Sequence, residues 1–216
     1  MKEKVVVIDY QLGNLFSVVQ ACSHLGYNAI VSTSPIDLLD AAYVILPGVG
    51  AFRDAMNNLV ATGMDDAIRN YVNDGKPLMG VCLGLQLLLT ESEEFGNTKG
   101  LNLISGVVRK FEKTKAENGI LKVPQIQWNQ IEEPHPFLWN NTPLRSCKTL
   151  DYMYFVHSYY AVPDQEKDIL SVTTYGTQKY CSALLRDNVF ATQFHPEKSA
   201  LYGVNIYKEW FELNKK

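Results

Sequence analysis

The sequence predicts an α/β fold with a central, mostly parallel sheet, helices on both faces, and an added antiparallel β section in the C-terminal half. Short, continuously apolar runs alternate with amphipathic runs in the first half of the chain. The second half contains strand-like runs with few helical patterns between them. Apolar strands separated by helices are typical of a parallel sheet that is covered on both faces. A chain of 216 residues suits one such domain, which we expect to span 1–216.

The first half supplies the alternating part of the fold. Apolar runs of strand length predict strands at 4–8, 29–32, 43–46 and 78–81. Runs with apolar residues at helical spacing predict helices at 15–25, 51–60, 64–73 and 83–89.

The second half changes character. Strand-like runs lie at 107–111, 152–157, 169–175, 181–186 and 189–194, and a helix is predicted at 200–213. Asp187 and Asn188 have the turn chemistry of a hairpin that joins the last two strands. The segment 132–146 is interpreted as a long surface loop.

Composition restricts the class of partner. The net charge is −3, so nothing favours binding to nucleic acid or to an anionic membrane. The apolar run 5–8 is too short for a signal peptide or a membrane span, and we expect a cytoplasmic protein. The 4 cysteines contain no CxxC pair, which argues against a disulfide framework or a zinc site. We therefore expect no metal and no cofactor.

Cys82 lies between Gly80 and Gly84, where an apolar strand meets a helix. A nucleophile on such a sharp turn needs small neighbours, and the following helix N-terminus favours a thiolate. The alternative is a buried cysteine that serves only as a small apolar residue. Gln86 lies one helical turn after Cys82 on the same face of the helix. It could bind a polar substrate, and the alternative is a solvated helix residue.

His195 and Glu197 follow the strand at 189–194, which Pro196 is expected to end. With one residue between them, the carboxylate can reach one ring nitrogen while the other nitrogen faces a nucleophile. Taken alone, the segment also fits a turn with an incidental acidic residue. His157, within an aromatic run, is interpreted as a packed strand residue and not as a second base.

The loop Pro47-Gly48-Val49-Gly50 joins a strand to a helix. It fails the dinucleotide fingerprint, because Arg53 occupies the place of the third glycine. An oxyanion hole fits better, with backbone donors from this loop and from the residue after Cys82. A tight turn that needs glycine for its backbone angles is the alternative.

Together these motifs resemble the class I, or triad-type, glutamine amidotransferases. The match comprises Pro47-Gly48-Val49-Gly50, the stretch 80–86 and the stretch 193–197, in that order. Within that family the chain is similar to the glutaminase subunits of imidazole glycerol phosphate synthases. The stretches that carry this closer similarity are 8–10, 13–15, 47–52, 154–159 and 195–199.

The resemblance implies roles for particular residues. Cys82 would attack the carboxamide of L-glutamine, His195 would carry the proton, and Glu197 would orient the imidazole. The N–H groups of Val49 and Leu83 would stabilise the oxyanion, after a flip of the glycine loop. The implied glutamine-binding residues are Gly50, Gln86 and Ser158.

The resemblance also implies a partner, a separate (β/α)₈ cyclase subunit that receives ammonia in a heterodimer. That cyclase makes imidazole glycerol phosphate and an aminoimidazole carboxamide ribonucleotide in histidine biosynthesis. The implied interface residues are Asn14, Tyr154 and Lys198.

One stretch departs from the family pattern. Where the family has Pro-His-x-Gly-Trp-Asn, this chain has Gln125 and Gln127 in place of the histidine and the glycine. The stretch 180–183 also resembles paralogues that supply ammonia for amidino-sugar or surface-polysaccharide synthesis. Other open interpretations are a catalytically silent regulator of a barrel enzyme and a cysteine peptidase or small hydrolase.

Overall fold

The structure is a computed structural model that describes residues 3–112, 115–116 and 119–215. Its strands are β1 (Val5–Ile8), β2 (Ala29–Ser32), β3 (Tyr43–Leu46), β4 (Leu78–Val81), β5 (Glu91–Ser92), β6 (Thr98–Lys99), β7 (Gly106–Lys110), β8 (Lys115–Ala116), β9 (Gly119–Ile120), β10 (Gln125–Gln130), β11 (Tyr152–His157), β12 (Tyr159–Pro163), β13 (Ile169–Tyr175), β14 (Gln178–Arg186) and β15 (Val189–Thr192). Its helices are α1 (Leu15–His24), α2 (Phe52–Thr62), α3 (Met64–Asn73), α4 (Leu83–Leu87) and α5 (Ala200–Leu213), with 3₁₀ turns at Pro35–Leu38, Glu166–Asp168 and Pro196–Lys198.

Most of the strands join one mixed sheet. In the part of the chain that the structure describes, this sheet has the order β2-β1-β3-β4-β15-β14-β12-β7-β5-β6, with β13 also paired to β14. The pairings from β2 through β15 are parallel, and β14 pairs with β15, β13 and β12 in the antiparallel sense. Two further antiparallel pairs, β10-β11 and β8-β9, lie outside it. The expected α/β fold is confirmed.

The parallel strands β1, β3, β4 and β15 are buried on both faces, whereas β2 at the edge is partly exposed. Their side chains alternate between two apolar clusters. Val6 and Ile8 of β1 join one cluster, to which α2, α3 and α4 contribute, whereas Val5 and Val7 join the other. Buried residues of α1 and α5 belong to that second cluster. Side-chain alternation along a strand thus converts a continuous apolar run into two cores, one on each face of the sheet.

Glycines in left-handed backbone conformation end two of the helices. Gly63 has φ of +70° and stops α2, while its N–H donates to the carbonyls of Leu59 and Val60. Gly26 has φ of +82° and follows the end of α1. An L-residue with a side chain adopts this conformation at a cost that glycine avoids.

Several sequence predictions differ from the structure at their ends. The strand predicted at 189–194 stops at Thr192, so Pro196 does not end it. The structure begins α2 one residue later than predicted and continues it to Thr62. The strands β10 and β12 were not predicted. The helix predicted at 200–213 and the hairpin at Asp187-Asn188 are confirmed.

Gly203 brings α5 against the turn that contains Glu197. A Cβ atom at Gly203 would lie 1.8 Å from the carbonyl oxygen of Pro196. Around this contact α5 buries its apolar face, with Ile206, Trp210 and Phe211 almost fully enclosed. No helix within the described residues is long and apolar enough to cross a membrane.

We predict that Gly203→Ala destabilises the protein. Alanine in a helix interior usually stabilises by up to about 1 kcal/mol over glycine. Here the methyl group would overlap a backbone oxygen that cannot rotate away, and overpacking of this kind costs about 1–3 kcal/mol. Urea denaturation measures the change.

The matched control is Lys208→Ala on the exposed side of α5, which should change the free energy of unfolding by less than about 0.5 kcal/mol. Equal stability of Gly203→Ala and the parent chain would contradict the close approach.

Candidate active site

The predicted nucleophile and base meet because β4 and β15 are parallel neighbours. Val81 lies opposite Thr192 in the pairing, and each strand then leads into a site residue. The N–H of Cys82 donates to the carbonyl of Thr192 at 2.7 Å. Loops that follow the carboxyl ends of adjacent parallel strands share one edge of the sheet, where ligands bind in open α/β folds.

Cys82 occupies a strained turn between β4 and α4. Its backbone has φ of 55° and ψ of −106°, and it forms the N-cap of α4. A Cβ at Gly84 would lie 1.8 Å from the carbonyl oxygen of Leu46, and a Cβ at Gly80 would lie 3.1 Å from the carbonyl oxygen of Gly84. Gly84 is therefore required by a close backbone contact, and Gly80 lies in a tight fit, in agreement with the small neighbours that the sequence predicted.

His195 and Glu197 form a buried hydrogen-bonded pair. The Nδ1–H of His195 donates to Oε1 of Glu197 at 2.7 Å, and both side chains are 1% exposed. Asn14 Nδ2 donates to the same oxygen at 3.0 Å. The carboxylate thus fixes the orientation of the ring. The other ring nitrogen, Nε2, is buried and has no hydrogen-bond partner among the described residues, so it is available for proton transfer.

The charges around His195 favour a protonated imidazole. Burial alone lowers the pKa of His195, but a thiolate at Cys82 and the carboxylate of Glu197 outweigh it and raise the pKa from 6.5 to about 10. An imidazolium beside a sulfur anion is the resting arrangement of a cysteine nucleophile with a histidine base.

The peptide between Gly48 and Val49 blocks both predicted oxyanion donors. Its N–H donates to the carbonyl of Leu12 at 3.4 Å, and its C=O accepts from the N–H of Leu83 at 3.4 Å. The hydroxyl of Tyr10 donates to the carbonyl of Pro47 at 2.7 Å and so anchors the start of the glycine loop. A rotation of this single peptide plane would release the Leu83 N–H and redirect the Val49 N–H.

A cavity of about 180 Å³ opens beside the sulfur. Its lining includes Cys82, together with Gly50, Gln86 and Ser158, the residues that the family resemblance implies as ligands of glutamine. A cavity of about 300 Å³ between residues 35–39 and α3 has no cysteine, serine or threonine in its lining. The smaller cavity is therefore the candidate site.

His157 lines this cavity but is held as a neutral ring. Its Nδ1–H donates to the carbonyl of Tyr159 at 2.8 Å, and Tyr180 Oη lies 3.3 Å from its Nε2. Burial lowers its pKa to about 3. These contacts support a packed strand residue rather than a second base.

Gln125, which replaces the family histidine, is buried, and its Oε1 lies 3.0 Å from Tyr180 Oη. Gln127, which replaces the family glycine, is exposed.

The three residues assigned to a partner interface lie around the histidine-carboxylate pair. Asn14 contacts Glu197, the Tyr154 ring lies 6.5 Å from that of His195 between centroids, and Lys198 is exposed beside Glu197. Among the described residues, no group of His, Cys, Asp or Glu side chains has the arrangement of a metal site.

Gln193 is a site residue for which the sequence alone indicated no role. It is fully buried, and its Nε2 lies 3.8 Å from the Cys82 sulfur. The motif around His195 contains it, but only the parallel pairing of β15 with β4 places it beside the nucleophile.

We predict that Glu197→Gln lowers the pKa of His195, because an amide does not attract the imidazolium. In the parent chain the raised pKa stabilises the fold fully below pH 6.5, and this contribution is lost as the pH rises through about 10. An NMR titration of the His195 ring follows the change. Glu212→Gln on exposed α5 is the control, and an unaltered His195 titration in Glu197→Gln would contradict the pairing.

Solved structures share the fold at low sequence identity. The chain is similar to PurLQS from Thermotoga maritima, with a TM-score of 0.76, 18% identity and coverage of 98% of this chain and 99% of that chain. A glutamine amidotransferase from Methylobacillus flagellatus gives a TM-score of 0.63 at 13% identity, covering 99% of this chain and 95% of that chain.

Sequence comparisons identify the family. The profile of the family "Glutamine amidotransferase class-I" matches residues 6–211. The imidazole glycerol phosphate synthase subunit HisH of Syntrophotalea carbinolica is 45% identical over 97% of this chain and 100% of its own length. The protein of the same name from Geobacter sulfurreducens is 43% identical over 97% of this chain and 99% of its own. The chain therefore belongs to the class I glutamine amidotransferases and, within them, to the HisH subunit family.

Proposed function

We propose that the chain is the glutaminase subunit of an imidazole glycerol phosphate synthase. It hydrolyses L-glutamine to glutamate and ammonia and delivers ammonia to a cyclase subunit. The observation that carries this proposal is the buried His195–Glu197 pair beside a strained cysteine that lines a cavity. Membership of the HisH family supports the choice of acceptor, and we treat 1–216 as a single amidotransferase domain.

The chemistry follows from the charges of the site. The Cys82 thiolate attacks the carboxamide carbon of glutamine, and the π electrons of the carbonyl move to its oxygen. His195, as imidazolium, gives its proton to the departing nitrogen, and ammonia leaves a thioester. The now neutral ring takes a proton from water, which attacks the thioester and releases glutamate. Glu197 keeps the ring in the required tautomer throughout.

Glutamine fits the cavity beside Cys82 in size and polarity. Gln86 uses its Nε2 to bind protein acceptors and keeps its Oε1 for the substrate. Ser158 and Gly50 supply further polar groups in the lining. We assign these residues to the α-amino and α-carboxylate groups of glutamine, which need donors and acceptors in a partly enclosed site.

The oxyanion hole is proposed to be gated. Both donors, the N–H groups of Val49 and Leu83, are bound to backbone carbonyls in the resting loop. Rotation of the Gly48–Val49 peptide supplies both at once. Loss of one such donor typically lowers kcat by about 10²–10³, so the resting loop keeps hydrolysis slow until the partner is bound.

The partner is proposed to be a (β/α)₈ cyclase subunit that docks beside the triad and forms a cytoplasmic heterodimer. The docking surface comprises Asn14, Phe16, Trp128, Tyr154 and Lys198. Within it the side chain of Phe16 is 76% exposed and that of Trp128 is 47% exposed, although both are large and apolar. Exposed apolar patches that are bordered by polar residues are typical of protein interfaces.

We predict that Cys82→Ala abolishes glutamine hydrolysis but preserves ammonia-dependent synthesis when the chain is combined with the nucleotide substrate and a (β/α)₈ cyclase subunit. The substitution removes the nucleophile and leaves the docking surface intact. Glutamate release and product formation from added ammonium are measured in parallel. Loss of both activities in a folded complex would contradict the division of labour, and Cys147→Ala is the control.

We also predict that the isolated chain hydrolyses glutamine about 10²–10³-fold more slowly than its complex with nucleotide and cyclase, because its oxyanion donors are occupied. Glutamate release is measured with and without each component. Full turnover by the isolated chain would rule out the gate. Activation only by a sugar-modifying partner would instead assign the same glutamine hydrolysis to amidino-sugar synthesis.

A further inference from the structure

We propose that Gln193 is a positioning residue that stabilises the Cys82 thiolate, and that Gln86 sets the orientation of its amide. The inference rests on the proposed function in one respect, that Cys82 is the nucleophile. It concerns a side chain for which neither the motif nor the family membership supplies a role.

A backbone carbonyl determines how both amides are turned. Nε2 of Gln86 donates to the carbonyl oxygen of Tyr159 at 2.8 Å. A carbonyl oxygen only accepts, so this end of the Gln86 amide must be the nitrogen. The second hydrogen of the same nitrogen donates to Oε1 of Gln193 at 3.1 Å.

The orientation of Gln193 follows. Because its oxygen faces Gln86, its nitrogen must face the sulfur, and Nε2 lies 3.8 Å from Cys82 Sγ. Gln193 is fully buried, so its own amide is shielded from water. The chain of bonds from Tyr159 to Cys82 therefore ends in an N–H donor at the nucleophile.

A donor at the sulfur distinguishes the two protonation states of Cys82. The thiol has one proton to give, and the carbonyl of Val156, 3.9 Å from Sγ, accepts it. The sulfur of a thiol is only a weak acceptor, whereas the charged thiolate accepts the Gln193 N–H more strongly. Hydrogen bonds to a charged form favour that form. Gln193 thus adds to the effect of the imidazolium of His195 without carrying a charge of its own.

The arrangement also connects the substrate cavity to the nucleophile. Gln86 lines the cavity and holds Gln193, so a ligand on Gln86 Oε1 acts on the group that binds the sulfur. Chains of hydrogen bonds in a dry interior polarise one another. Glutamine that binds to Gln86 would in this way strengthen the donor at Cys82.

The test uses iodoacetamide and the isolated full chain, so it does not depend on the substrate or the partner. The rate of Cys82 alkylation is measured against pH by mass spectrometry of the peptide that contains it. The other cysteines provide little background, because burial raises the pKa of Cys22, Cys147 and Cys181 to about 12. The thiolate is the reactive form, so the profile reports its stability.

Gln193→Met keeps the volume and removes the donor. We expect the midpoint of the profile to move up by about one pH unit, which is a tenfold loss of thiolate below the midpoint. Gln193→Glu keeps the oxygen that faces Gln86 but presents a carboxylate oxygen to the sulfur, and should move the midpoint further. Gln86→Met frees the Gln193 amide to rotate, and should give a smaller shift in the same direction.

Ser182→Ala is the matched control, because this buried hydroxyl on the neighbouring strand bonds to Ser171 and not to the site. Its profile should equal that of the parent chain. An unshifted profile in folded Gln193→Met overturns the proposal; if that variant does not fold, an unshifted Gln86→Met profile does so. Shifted profiles in a chain that does not hydrolyse glutamine would refute the proposed function and leave this inference standing.

Discussion

The pairing of β4 with β15 is the constraint on which the rest of the site depends. These strands are distant in sequence, yet the Cys82 N–H to Thr192 carbonyl bond of 2.7 Å continues their ladder into the active site. Every residue of both strands is buried. A shift of one residue in this register would exchange side chains between the two apolar cores and separate the sulfur from the imidazole. The same burial that stabilises the sheet therefore fixes the catalytic geometry.

Close backbone contacts join the nucleophile turn to the neighbouring loop. Gly84 packs against the carbonyl of Leu46, at the end of the strand that leads into the glycine loop. The N–H of Leu83 donates to the carbonyl of Gly48 in the same region. The unfavourable backbone of Cys82 is held by these contacts, as expected where a strained residue serves function. Any rearrangement of the glycine loop thus acts directly on the turn that carries the sulfur.

The sequence predicted the parts of the fold that have strong periodicity. The apolar strands and the helix at 200–213 are in this class, and so is the hairpin at Asp187-Asn188, where local turn chemistry is sufficient. The strand β10 was missed because its residues are mostly polar and only one of them is buried. The strand β12 was missed because the chain changes sheets at Ser158 without glycine or proline. The role inferred for Gln193 depends on contacts between distant residues, which no local pattern encodes.

The parts of the candidate site differ in how firmly they are held, and this difference suits the proposed control by a partner. The His195–Glu197 pair is held by a short contact of 2.7 Å within the buried interior, whereas the proposed oxyanion donors are held by two long hydrogen bonds of 3.4 Å. Both bonds belong to one peptide, so a single rotation breaks them together. Ordinary hydrogen bonds contribute about 0.5–1.5 kcal/mol each, and a coupling free energy between sites is typically about 1–3 kcal/mol. The contacts of a docked partner would therefore be large enough to turn this peptide. Control of the rate through the loop, with the His195–Glu197 pair already formed, is the arrangement that these magnitudes favour.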